Sequence, residues 1–196
     1  MSTPTLLERL TAVGAIKDGH FLLASGRHSA RYVEKFDLLR NRVVTSEICQ
    51  GFANRFRNDR VDVVAGPTTG GVILAFEVGR QLGTAAAYAE RAGSGSDERV
   101  FKRGTTFTPG QRVLVVDDVL TTGGSVRETL AALAKEPVEV VGVGVLVDRS
   151  GGSVRFGNLP FHPLATLDVV TWTADECPLC AQGVPITKPG TTAAKS

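Results

Sequence analysis

The sequence predicts an α/β fold: a parallel sheet flanked by helices, with a small hood subdomain beside it. Two observations carry this expectation. Residues 113–116 are a continuous apolar run rich in β-branched side chains, and 61–65 and 138–147 are nearly so, as suits strands covered on both faces. Glycine-bearing loops at 66–71 and 121–125 follow the first two runs, and helical apolar spacing follows each loop. Repeated strand–loop–helix passages place successive strands parallel and lay helices on both faces. No internal repeat appears.

Taken in order, the chain opens with Thr3-Pro4, an N-cap followed by proline at the first helical position. Leu6, Leu7, Leu10 and Val13 then recur at helical spacing, and Gly14 ends that helix. Residues 20–32 place apolar flanks around Ser25-Gly26, which reads as a hairpin; on spacing alone its Arg27, His28, Ser29 and Arg31 belong to a surface turn. Residues 45–57 form an amphipathic helix with Ile48, Phe52, Ala53 and Phe56 on one face. Cys49 lies beside that stripe and reads as a buried core thiol.

The strand at 61–65 runs through Gly66-Pro-Thr-Thr-Gly-Gly71 into a helix carrying Val72, Ala75, Phe76 and Leu82, closed by Gly83. The loop with Thr68 and Thr69 is equally a tight turn or a second anion-binding loop. Residues 84–90 make the next strand. Residues 91–110 are the least regular stretch, setting Arg91, Arg99, Lys102 and Arg103 against Asp97 and Glu98 around Gly93-Ser-Gly-Ser96. Such a segment is either a lid whose bases close over a polyanion or a mixed-charge surface hairpin.

Residues 112–128, RVLVVDDVLTTGGSVRE, are the centre of the argument. A buried strand delivers Asp117 and Asp118 to its carboxyl end, the edge where open α/β sheets bind ligands. Val119 and Leu120 lead into Thr121, Thr122, Gly123, Gly124 and Ser125, a loop whose backbone N–H groups and hydroxyls can cradle a phosphate at a helix start. Ser125 and Glu128 have capping-box spacing. No Gly-Lys-Ser/Thr follows the glycines, so this is not a Walker A loop. A ligand with a phosphate for the loop and hydroxyls for the acids, such as a ribose 5-phosphate, fits.

Val126, Leu130 and Leu133 continue the helix to Pro137. The strand at 138–147 then brings Asp148-Arg149 to the same sheet edge, where Arg149 can grip a carboxylate or carbonyls in bidentate fashion. The tail holds one C-x-x-C pair, Cys177 and Cys180, which is half a zinc site. Cys49, His162 or a partner chain would complete it; two reduced thiols in a tail turn is the simpler reading. Residues 188–196 read as disordered.

The run from Val113 to Ser125 resembles the phosphoribosyl pyrophosphate (PRPP) motif of the type I phosphoribosyltransferases. Three further segments are similar to the orotate phosphoribosyltransferases: Phe-x-Leu-x-Ser-Gly-x-x-Ser in the hood, Asp148-Arg149, and the Cys-Pro-Leu-Cys tail, the last resembling a shorter bacterial and archaeal branch. The resemblance implies a type I phosphoribosyltransferase-like sheet, with a hood formed by about 1–32 and 153–187 over a core of about 45–152. It implies PRPP binding by Arg91, Thr68, Thr69, Asp117, Asp118 and 119–125, and orotate binding by Thr121 and Arg149. Asp117 and Asp118 would be catalytic. Mg²⁺ would arrive on the pyrophosphate, without a dedicated protein cage, and the lid would act across a homodimer interface. The chain departs from the pattern at Ala24, at Thr69-Gly70, where related enzymes carry lysine, and at Glu90-Arg91, where they carry Arg-Lys. Transfer to another base, and PRPP sensing without catalysis, stay open on this basis.

Composition bounds these readings. The 196 residues suit one domain with a sizeable core. A net charge of +2, with no basic stripe, argues against nucleic acid as a partner. No apolar run approaches a membrane span of about 20 residues and no signal peptide is seen, so the expected setting is cytoplasmic. Three cysteines, an odd number, argue against a disulfide framework.

Overall fold

A computed structural model describes residues 6–23, 25–167 and 170–189. The Thr3-Pro4 cap, Ala24 and residues 190–196 of the tail lie outside them. The chain runs α1 (Leu6–Ala12), β1 (Ile16–Leu22), β2 (His28–Val33), α2 (Lys35–Leu39), α3 (Arg42–Phe56), β3 (Val63–Pro67), α4 (Gly70–Leu82), β4 (Ala85–Arg91), β5 (Arg99–Phe101) and β6 (Gln111–Leu120). It continues through α5 (Gly124–Leu133), β7 (Val138–Asp148), β8 (Phe161–Thr166), β9 (Thr171–Trp172) and α6 (Pro178–Ala181).

Six strands form one sheet in the order β5-β4-β3-β6-β7-β8, parallel throughout except for β5, which is antiparallel to β4. β1, β2 and β9 form a separate antiparallel sheet, the hood. The alternation of side chains along a strand divides the core in two. Leu114 and Val116 pack with Phe52, Phe56, Leu74 and Val78 on the α3/α4 side, while Val113 and Val115 pack with Val126, Leu133, Val143 and Val145 on the α5 side. Two glycines in β7 admit the large rings: a Cβ on Gly142 or Gly144 would lie 2.8 Å from Phe56 or Phe52.

Several local expectations need correction. α3 starts at Arg42 rather than Thr45, because the Asn41 side chain accepts from Val44 N–H at 3.2 Å and caps the helix there. β6 continues through Asp117 and Asp118 to Leu120, since β7 pairs with it as far as Asp148. α5 has no Ser125–Glu128 capping box. Gly123, with φ of 79°, occupies the N-cap, no side chain caps the helix, and Glu128 is drawn instead to Arg99. The stretch at 91–110 folds back as the β4–β5 hairpin. The segment after Gly152 divides between the sheets: β8 extends the core sheet, while β9 and Thr187 join the hood.

Candidate active site

β3, β6 and β7 end together, and their loops build the site. Asp117 and Asp118 are buried at the end of β6. Asp118 N–H donates to Asp117 Oδ1 at 2.8 Å, and Val119 N–H donates to Asp118 Oδ1 at 2.6 Å. From α2, Lys35 Nζ stands 3.0 Å from Asp118 Oδ1 and 2.8 Å from Oδ2. The Oδ2 approach lacks hydrogen-bond geometry, so that buried oxygen has no donor aimed at it. Burial first, and the neighbouring Asp118 second, push the Asp117 carboxyl up to about 7. Two carboxylates in a dry corner with one ammonium present a poised, incompletely neutralised acceptor surface.

Beyond the acids, Thr121, Thr122, Gly123, Gly124 and Ser125 wrap a cavity of about 190 Å³, closed by Asp117, Val119, Leu120 and Glu128. The uncapped start of α5 faces this loop, so its first N–H groups and the helix dipole are available to an anion.

The β3–α4 loop is the second wall. Thr68 and Thr69 are joined by a cis peptide, and Thr69 starts α4 without a side-chain cap. α4 begins hard against the acids: a Cβ on Gly70 would lie 1.7 Å from Asp118 Oδ2. Arg99, 4 % exposed, crosses between the two loops. Its Nε donates to Glu128 Oε2 at 3.0 Å, and its Nη1 donates to Thr68 Oγ1 at 3.2 Å and to Ala89 O at 3.1 Å.

β7 supplies the third wall. Asp148 accepts from Ser150 N–H at 2.7 Å, and Arg149 N–H donates to Leu120 O at 2.8 Å, which ties this loop to the β6 loop. The Arg149 guanidinium is half-buried near Tyr32; burial pushes its pKa down, and its Nε has no hydrogen-bond partner. A half-desolvated guanidinium of this kind is ready for an anionic or carbonyl-bearing ligand.

The structure thus brings Asp117, Asp118, Val119–Ser125, Thr68, Thr69 and Arg149 to one edge. Arg91 is elsewhere occupied, bonded to Asp97 at 3.0 Å and to Ser96 O within its own hairpin. Lys102 donates to Arg91 O and Ala92 O, and Arg103 pairs with Glu90. Two residues escaped the sequence reading. Lys35 meets an acid 83 positions away, which no local pattern signals. Arg99 was one lid base among four, and only the pairing of β5 to β4 shows that it points inward. The cysteine pair also has different company than expected. Cys49 lies in the core with its thiol pushed up to about 12 by burial, and His162 stacks edge-on to Phe56 at 6.3 Å. The residues beside Cys177 and Cys180 are His20 and His28.

Residues 38–156 match the phosphoribosyl transferase domain. The chain is 43 % identical over 190 residues to an orotate phosphoribosyltransferase of Desulforamulus reducens, covering 97 % of both chains. It is 40 % identical over 197 residues to that of Caldicellulosiruptor saccharolyticus, covering 100 % of both. Among solved structures, the orotate phosphoribosyltransferase of Aeropyrum pernix superposes with a TM-score of 0.71 at 30 % identity, over 83 % of this chain and 94 % of that one. The motif, the sheet edge it builds and these near-full-length relatives agree: the chain belongs to the phosphoribosyltransferase family, in its orotate phosphoribosyltransferase branch.

Proposed function

We infer that the chain condenses orotate with PRPP, giving orotidine 5′-monophosphate and pyrophosphate for UMP synthesis. The observation that carries this is the adjacency of three features: paired buried acids, an uncapped helix start, and the half-buried Arg149 guanidinium on the next strand.

In this reading Thr121–Ser125 and the start of α5 hold the 5′-phosphate. Asp117 and Asp118 accept from the ribose hydroxyls and favour the positive charge that develops on the ring. Orotate N1 attacks the anomeric carbon while pyrophosphate leaves, through an oxocarbenium-like transition state, so positioning and electrostatics supply most of the acceleration. Arg149 grips the orotate carboxylate or ring carbonyls, with Thr121 alongside. The Thr68-Thr69 loop receives the pyrophosphate, and Arg99 sets the distance between that loop and α5.

The acids fit a magnesium ion carried by the substrate: they are hard oxygen donors, and Asp118 Oδ2 is buried with no donor on it. Magnesium, when bound, neutralises charge on the leaving pyrophosphate.

We place the enzyme in a homodimer, with the lid and Arg91 reaching the partner's site. Phe76, 65 % exposed on α4, beside a groove of Leu39, Val72 and Ile73, supports an apolar interface there. No helix among the described residues is long and apolar enough to cross a membrane. The proposed setting is cytoplasmic.

The test is loss of orotate absorbance with purified protein, PRPP and Mg²⁺, run beside uracil, hypoxanthine and adenine. PRPP-dependent consumption of orotate alone is expected. Consumption of another base would overturn the specificity. PRPP binding without turnover of any base would make the chain a sensor.

A further inference from the structure

The tail after β9 has little to hold it. α6 is four residues long and buries none of them, and most residues from 178 to 188 are exposed. Backbone bonds between Thr187 and the hood strand, Leu22 N–H to Thr187 O at 2.9 Å and Thr187 N–H to His20 O at 2.7 Å, fix its far end. A segment without an apolar core needs another source of order, and small units of this kind commonly use a metal. Cys177 is the exception to the exposure, at 2 %, and it lies among His20, His28 and Cys180.

We propose that His20 Nε2, His28 Nδ1, Cys177 Sγ and Cys180 Sγ bind one zinc ion that staples the tail to the hood. All four atoms lie within 4.8 Å of one another. His20 Nε2 is 3.0 Å from His28 Nδ1, 3.4 Å from Cys177 Sγ and 3.8 Å from Cys180 Sγ, and Cys180 Sγ is 3.3 Å from His28 Nδ1. Tetrahedral zinc with its usual Zn–N and Zn–S bonds has ligand–ligand edges of about 3.3 Å between nitrogens and about 3.5 Å between nitrogen and sulfur. The nitrogen–sulfur spacings bracket their edge and the nitrogen–nitrogen spacing falls slightly short of its own, so an ion at the centre needs the two imidazoles to part a little.

The surroundings favour the same assignment. His20 Nδ1 is 2.8 Å from Val184 O. A carbonyl only accepts, so Nδ1 carries the proton and Nε2 turns its lone pair toward the cluster, the outer-shell arrangement that orients histidine ligands on metals. Three of the four ligands are buried, and they arrive from β1, β2 and the α6 segment. On binding, the two thiols lose their protons and the thiolates neutralise the dication; the imidazoles stay neutral. Four ligands close the coordination shell, so the site is structural. Its mechanical consequence lies downstream: β2 leads through Glu34 directly into Lys35, the residue that meets Asp118. The staple therefore braces the strand that sets one edge of the active site.

The test uses the full chain, untagged and purified under reductant without chelator. Elemental analysis is expected to find about one zinc per chain. After chelation, Co²⁺ is expected to give the thiolate charge-transfer band and the intense visible bands of a tetrahedral site. Cys180→Ser, at an exposed position, and His28→Ala should each lower zinc affinity by at least about tenfold. Cys49→Ala should leave both metal content and the cobalt spectrum unchanged. Absence of zinc together with a weak octahedral cobalt spectrum overturns the proposal. So does a stoichiometric metal other than zinc, or full zinc retention in both ligand variants.

Discussion

The two strand–loop–helix passages at the sheet edge look alike in outline and differ in where their chemistry comes from. Both begin with a buried strand, and both helices start without a side-chain cap. The β6–α5 loop carries its own equipment: two buried acids before it and three hydroxyls within it. The β3–α4 loop has no charged side chain. It borrows a cation from Arg99, 31 positions later, and abuts the acids of its neighbour through Gly70. One loop is therefore self-contained in its acids and hydroxyls, and the other is an assembled wall that draws its cation from β5.

The largest effect should come where the two loops touch. If the acids act as proposed, Asp118→Asn removes negative charge facing the transition state, and kcat/KM for orotate is expected to fall by about a hundred- to a thousand-fold. Gly70→Ala should do comparable damage without touching a charged residue, because its methyl would occupy the place of Asp118 Oδ2. Steady-state kinetics on both variants checks this. A Gly70→Ala enzyme of near-normal activity would show that the acids work independently of the β3–α4 loop.

The borrowed cation comes next. Arg99→Ala leaves Glu128 and Thr68 Oγ1 without their partner in a mostly buried place. A stability loss of about 3 kcal/mol is expected in urea unfolding, the usual range for breaking a buried pair. KM for PRPP should rise by about tenfold. An unchanged KM beside the lost stability would reduce Arg99 to a purely structural strut and make the β3–α4 wall self-sufficient after all.

How much was readable in advance follows the same division. The β6–α5 loop was legible because strand, acids, glycines and helix are contiguous, and each local preference agrees with the others. The parallel sense of β3, β6 and β7 was legible from their largely apolar, β-branched runs. What escaped depends on contacts between distant segments. Glu128 has capping-box spacing, but Arg99 outcompetes a backbone N–H for its carboxylate. His28 reads as part of a surface turn and His20 only as the start of a hairpin, and the return of the tail at Thr187 brings Cys177 and Cys180 to them. β8 carries too few strand-forming residues to announce itself; it is selected by the open edge of β7, with which it pairs from Phe161 to Thr166.

Arg149 sharpens the comparison from outside both loops. It adjoins the β6 loop through backbone alone, so its side chain should serve the base and not PRPP. Arg149→Ala is expected to raise KM for orotate by about ten- to a hundred-fold, the worth of a charge-assisted hydrogen-bonding group. PRPP affinity, measured by calorimetry, should stay within about twofold. A loss in PRPP affinity equal to that for orotate would place Arg149 with the phosphates.

The smallest effect is also the most diagnostic, because it asks what the self-contained loop costs the fold. The Asp117 carboxyl is held at about 7 by burial and by Asp118, well above its unfolded value. Between about pH 4 and about pH 7 the unfolded chain has given up this proton while the folded chain keeps it. Its contribution to stability is therefore complete below about pH 4 and lost as the pH rises through about 7. Asp117→Asn removes that titration while keeping an oxygen for Asp118 N–H. The variant should be more stable than the parent at pH 8, with the gain vanishing toward pH 4. Its activity should be poor at every pH. Urea unfolding across that range gives the answer. A stability gain confined to high pH would mean that the acid pair strains the free enzyme. No gain at pH 8 would mean that Lys35 already neutralises the pair, and that the self-contained loop, like its neighbour, leans on a cation from elsewhere in the chain.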